Sequence, residues 1–268
     1  MKNLPSNLIL PMLAMFTLCL SASDVVVSYE PSEYGIEYDI DFDRYADQSI
    51  SAPNVKVVEF SAKEPLLKNN VYSGYSGPSI YGGYQFESTN PEWIFNREQI
   101  RFNHQGSHPI TMQCYSKNGW ADAEMALHVV IIFKKEDFKK PFNKGDVRID
   151  GLSVKWNTYF TGSERNVSGR YVVEIGGVYY VSDFDFNMTN SGSSEIGKQN
   201  LVGVKWAPYH PEDNLNFDDR SAEYNSLDLS DVMAVGLYVE EDQWFGNATP
   251  TSPYMLGIAA FEAKGEAK

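Results

Sequence analysis

Cysteine is nearly absent from this sequence: Cys19 and Cys114 are the only two in 268 residues. Cations are scarce as well. Twenty-two Lys and Arg face 36 Asp and Glu, a formal charge of −14, which excludes a nucleic-acid binder because phosphate contacts need clustered Lys and Arg. No apolar run reaches the ~18 residues of a membrane span. No amphipathic pattern is long enough for a substantial helix, and no internal repeat is visible. A hydrophobic content of 43% nonetheless excludes wholesale disorder.

The N-terminus reads as an export signal. Lys2 supplies a small positive region, and Leu8 to Leu20 is apolar but broken by Pro11 and Thr17. Small residues follow at Ser21-Ala22-Ser23, so residues 1–23 are expected to be removed by cleavage before Asp24. The product would be secreted or periplasmic. Losing Lys2 leaves 21 basic against 36 acidic residues, a formal −15. Losing Cys19 leaves Cys114 alone, so no internal disulfide can form even in a compartment that permits one. Cys114 sits in a strand-like stretch and suits a small buried hydrophobe. The remaining chain must be held by burial alone, and its length suits one large all-β domain or two small ones.

Strand patterns run through it. Val147, Ile149, Leu152, Val154 and Trp156 alternate with polar residues, and Met125 to Phe133 is a nearly continuous β-branched run. Further candidates are 54–61, 79–87, 109–115, 169–175, 178–186, 201–207, 232–240 and 254–262. Gly176-Gly177 marks a tight hairpin. Short helical turns are expected at 134–140 and 226–231. These predict an all-β jelly-roll sandwich of about ten strands with only short helical turns. Residues 24–75 would supply edge strands or a wrapping loop, 76–262 the sandwich and 263–268 a flexible tail.

From about residue 147 to 262 the order of motifs is distinctive. It runs through Arg170–Ile175, Gly177–Ser182, Val202–Trp206, Leu215–Phe217 and Leu227–Val239, and closes on Leu256–Glu262. This order resembles the galactose-binding-like jelly rolls, which include non-catalytic carbohydrate-binding modules and the complex I intermediate-associated family. It is also similar to uncharacterised secreted bacterial β-sandwich proteins. The resemblance implies a jelly roll, a glycan partner and, in exported members, a structural ion. From the residues themselves, β-strand 232–239 is apolar on both faces and so central. Gly236 there marks close packing or a bulge rather than a site.

Catalytic motifs are mostly missing. Gly74-Tyr75-Ser76-Gly77-Pro78 approaches a nucleophile elbow but ends on Pro78 and lacks a strand-to-helix setting. His104 and His108 are four apart, yet Gly106 and Pro109 preclude the helix that would align them on zinc. His128 lies in an apolar strand and reads as a core or edge residue. Asp39, Asp41 and Asp43 alternate along one strand face, as do Asp183 and Asp185. The first three are candidate calcium ligands, although a solvated acidic face gives the same pattern. A carboxylate pair could also serve glycoside hydrolysis, but its separation is not in the sequence.

Aromatics, 14% of the chain, carry the main functional expectation. A sugar's C–H face stacks on Trp or Tyr while its hydroxyls bond to polar side chains. Trp244 stands in a polar stretch, and Tyr209, Tyr159, Trp206 and Trp156 complete the candidate carbohydrate-binding set. Core packing competes for the same rings, most of all for Trp156 and Trp206 at strand ends. Lys134, Lys135, Lys139, Lys140 and Lys144 form one basic turn, which Phe133, Phe138 and Phe142 could anchor. Asn166, Asn187 and Asn247 head glycosylation triplets. A polysaccharide or glycan is thus the expected partner. A secreted polysaccharide lyase or glycosidase, and a structural or adhesive envelope protein without a ligand, stay open as other classes.

Overall fold

The computed structural model describes residues 23–29, 38–41, 50–51, 56–58, 78–88, 94–95, 100–104, 110–114, 123–159, 165–189, 192–198, 200–211, 216–245 and 254–268. They form seventeen strands and one short 3-10 turn. In order these are β1 (Asp24–Tyr29), β2 (Tyr38–Asp41), β3 (Ile50–Ser51), β4 (Lys56–Val58), β5 (Ser79–Ser88), β6 (Ile94–Phe95), β7 (Ile100–His104), β8 (Ile110–Cys114) and β9 (Ala123–Lys134). After the turn at Lys135–Asp137 come β10 (Val147–Tyr159), β11 (Arg165–Ile175), β12 (Val178–Asn187), β13 (Gly192–Lys198), β14 (Lys205–Tyr209), β15 (Asn225–Ser226), β16 (Ala234–Phe245) and β17 (Tyr254–Ala267).

Two antiparallel sheets pack as a sandwich. The seven-stranded sheet has the order β13-β10-β17-β8-β7-β2, with β1 also paired to β17, and the eight-stranded sheet runs β15-β14-β12-β11-β16-β9-β5-β4. From β8 on, the chain changes sheet at β8–β9, β9–β10, β10–β11, β12–β13, β13–β14 and β16–β17, the alternation of a jelly roll. Each of the ten expected segments overlaps a strand, although β14 begins only at Lys205, four residues into 201–207. The additional ones are mostly short: β3, β6 and β15 have two residues each, too few to show a period of two.

Alternation explains the core. Val147, Ile149, Leu152, Val154 and Trp156 of β10 face Val129, Ile131 and Phe133 of β9 and Val235, Leu237 and Val239 of β16 across the sandwich. Aromatic contacts join the layers: Phe133 stacks on Phe261 at 5.0 Å, and Trp156 meets Phe186 at 6.0 Å. β16 lies between β11 and β9 and is buried from Ala234 to Val239, as a strand apolar on both faces must be. Phe138 and Phe142 are buried under the basic turn, which fixes it to the core. Gly176 and Gly177 take φ of +60° and +82° in the β11–β12 hairpin, the left-handed pair a two-residue turn requires.

The C-terminus departs from expectation. Residues 263–267 are the end of β17 rather than a flexible tail, and pair with β10 as far as Val147↔Ala267. Ala263 and Gly265 turn inward while Lys264 and Glu266 carry the polar side, so a sequence that reads as polar still makes half a strand.

Gly236 has no room for a side chain: an added Cβ would lie 2.0 Å from the Ile131 carbonyl oxygen and 3.0 Å from Ile132 Cδ1. Gly236→Ala is therefore expected to lower unfolding free energy by about 1–3 kcal/mol, measured by urea denaturation. An unchanged midpoint would contradict this packing.

Candidate functional site

The outer face of the seven-stranded sheet holds an open groove of about 100 Å³ lined by Ser28, Ser153, Lys155, Glu195, Ala260 and Glu262, among others. Its position follows from the pairing. β8 pairs with β17 only up to Ile110↔Ile258, and β1 takes over at Tyr29↔Phe261, so neither strand reaches Ala259 or Ala260. On the other side, the β10–β17 register shifts between Lys155 and Trp156. A notch on one edge and a bulge on the other meet where side chains are small. Bulges of this kind re-aim side chains beside sites.

Two hydroxyls in this lining and one amide just beyond it keep spare hydrogen-bonding capacity. Among the described residues, the hydroxyls of Ser28 and Ser153 and the amide of Asn157 have no partner. Ser28 and Ser153 flank Glu262 in register from opposite sides. Lys155 pairs with Glu195 at 3.2 Å and Lys264 with Glu262 at 3.0 Å. These exposed pairs add little stability, but they neutralise one another at the groove.

From the groove, two rows cross the sheet. One is Asn157, Gly257, Thr111, Asn103 and Asp39, from β10 to β2; the next is Tyr159, Met255, Gln113, Arg101 and Asp41. The row between them, from Thr158 through Leu256, Met112 and Phe102 to Ile40, begins on buried Thr158 and Leu256. Asn157, next to buried Thr158, therefore takes the opposite, outer side.

The expected sugar-binding aromatics divide. Trp156, Trp206 and Tyr209 are 4%, 2% and 3% exposed, so their rings are occupied by packing and cannot meet a sugar. Trp156 and Trp206 belong to the core between the sheets. Tyr209 meets Phe217 and Tyr238 edge-on at 5.9 and 5.8 Å on the far side of the eight-stranded sheet. Tyr159 and Trp244 remain. They stand opposite Met255 and Glu124, at the end of the sandwich where β10 gives way to β11 and β16 to β17. Asp39 and Asp41 lie in β2 opposite Asn103 and Arg101, and Asp43 falls outside the described residues. An opposite-charge neighbour across the strands suits Asp41. Among the described residues, no three His, Cys, Asp or Glu side chains converge as a metal set. Asp183 accepts the Lys205 amide at 3.0 Å, while Asp185 approaches Arg170 at 3.6 Å.

A second polar cluster, on the outer face of the eight-stranded sheet, was not legible in sequence. The Tyr238 hydroxyl accepts the Phe217 amide at 3.2 Å and donates to Glu240 at 3.2 Å. His128 Nδ1 lies 3.1 Å from it and is left to donate. Arg170 donates to the Ser182 carbonyl and the Tyr224 hydroxyl, each at 3.1 Å, and pairs with Asp219 at 3.3 Å. Segment 216–224 is thereby pinned over Val130, Val172, Ala207 and Tyr238, which form a satellite core. Only the long-range pairing of β9, β11 and β16 brings these residues together, although Tyr238 and Glu240 at i and i+2 do signal a shared face.

Burial pushes His128 down to about 4 from its ordinary 6.5. As pH falls, the unfolded chain takes up this proton first, so stability present above pH 6.5 is lost down to about pH 4. The stability difference between wild type and His128→Gln should therefore shift by roughly 3 kcal/mol against wild type across that window. Urea titrations at several pH values would show it; parallel pH profiles would contradict it.

No protein-family model and no curated protein matches the chain. Among solved structures it is similar to carbohydrate-binding modules described for promiscuous specificity within the β-sandwich superfamily, at 7% identity over 70% of this chain and 75% of that one, with a TM-score of 0.25. It is also similar to TmCBM61 in complex with beta-1,4-galactotriose, at 10% identity over 70% and 88%, with a TM-score of 0.24. Likeness at this level adds nothing to what the residues themselves indicate about chemistry.

Proposed function

We propose that this chain is an exported, non-catalytic β-sandwich that binds carbohydrate on the outer face of its seven-stranded sheet. The observation that carries the reading is the pair of unpartnered Ser28 and Ser153 side chains lining an open groove, with unpartnered Asn157 two residues beyond Lys155 on β10. They adjoin the cross-strand row that begins at Tyr159. Hydroxyls of a sugar both donate and accept, and serine hydroxyls and an asparagine amide do the same. Glu195 and Glu262 add acceptors, and Lys155 adds a donor. An aromatic residue at the end of such a row supplies a surface for a C–H face. The eight-stranded sheet is a poorer platform, because segment 216–224 covers part of its outer face.

The set differs from the one expected from sequence. Tyr159 is kept, Trp244 becomes a neighbour at the same end of the sandwich, and Trp156, Trp206 and Tyr209 leave the site for the core. Lyase and glycosidase chemistry would need a general acid and base aimed at one bond. The carboxylates described in the groove are instead paired with lysines.

Affinity electrophoresis against a panel of glycans tests the proposal. Ser153→Ala/Asn157→Ala should weaken binding about tenfold, the loss of two modest hydrogen bonds, without lowering the melting temperature. Trp206→Ala should instead lower stability by about 3–5 kcal/mol through loss of a buried ring. Equal retardation of wild type and the double variant, or release of reducing ends from any polymer in the panel, would contradict the proposal.

A further inference from the structure

We infer that the glycan taken by this face is uncharged, and that its ion pairs act to exclude uronate and sulfate polymers. This rests on the carbohydrate-binding reading above and adds the chemical class of the ligand.

Each cation whose side chain is described on the outer face of the seven-stranded sheet, namely Lys155, Lys264 and Arg148, already has a carboxylate. Lys155 lies 3.2 Å from Glu195, and Lys264 lies 3.0 Å from Glu262. Arg148 has two partners, Asp150 at 2.8 Å and Glu266 at 3.1 Å. Three cations thus meet four carboxylates, on a chain whose formal charge is −14. A ligand carboxylate or sulfate entering the groove would displace Glu195 or Glu262 from its lysine. It would do so against a surrounding negative field. Anion recognition ordinarily presents cations with free donors, and Lys155, Lys264 and Arg148 are each already paired.

Neutral hydroxyls face no such barrier. Ser28, Ser153 and Asn157 are unpartnered among the described residues. Carboxylates held by lysines keep lone pairs free to accept from sugar hydroxyls. The recognising groups are therefore dipoles and shielded carboxylates, and binding should depend little on ionic strength. An anionic glycan held by cations would be released as salt screens the attraction.

The arrangement also predicts a gain of function. Glu195→Gln removes the carboxylate from Lys155 without changing the shape of the side chain, leaving one free cation at the groove. The full chain and this variant are run in gels containing neutral polymers (a β-glucan, a galactan, a mannan and a xylan) or anionic ones (polygalacturonate, alginate and a sulfated galactan). Dissociation constants for any retarding polymer are then taken at about 0.05 and about 0.5 M salt. Wild type should be retarded by at least one neutral polymer with a less than twofold salt effect, and by no anionic polymer. The variant should gain at least threefold in retardation by polygalacturonate. Wild-type retardation by an anionic polymer at or above the neutral level, or neutral binding lost at high salt, would overturn the inference while leaving carbohydrate binding intact. Retardation by nothing in either group would overturn both.

Discussion

Aromatic packing between the two sheets is the interaction on which this molecule depends. With only Cys19 and Cys114 in the sequence, at most one internal cross-link could restrain the unfolded chain. Burial must then offset its conformational entropy. The rings that do so form a seam of two groups between the sheets. Tyr29 meets Phe133, Phe133 stacks on Phe261, and Trp156, Phe186, Tyr171 and Phe184 follow at centroid distances of 5.3 to 6.0 Å. Removing such rings from water supplies much of the favourable free energy of folding.

That seam decides where function can lie. A ring wedged between sheets has both faces in contact with protein and presents none to a sugar. Trp156 and Trp206 are committed in this way, and Tyr209 is committed to the satellite core under segment 216–224. What remains for recognition is a polar sheet face with small side chains, an interrupted edge at Ala259 and Ala260, and hydroxyl and amide groups without partners. The high aromatic content is chiefly a property of the fold, and the proposed site draws on residues that are individually unremarked in composition.

The fold was largely legible because its signal is local. Alternation in β10, continuous apolarity in β9 and β16, and Gly176-Gly177 each report their own backbone without reference to the rest of the chain. Two-residue strands such as β15 leave no such trace, and β17 hides its last turn because Gly265 and Ala263 look inward without looking hydrophobic. The site was scarcely legible. Ser28 and Ser153 are 125 positions apart and become neighbours only through Glu262. The aromatics drew attention because large rings are conspicuous in a sequence, whereas an unpartnered serine is recognisable only once every other group nearby has been paired.

The most direct measurement is a map of backbone amide chemical shifts during titration with a soluble neutral oligosaccharide that the protein retains in gels. Carbohydrate binding on the seven-stranded sheet predicts that the largest changes fall at Ser28, Ser153 to Tyr159 and Ala260 to Glu262. Residues 216–224, His128 and Tyr238 should stay still. Changes centred on that second group, with the groove silent, would contradict the account.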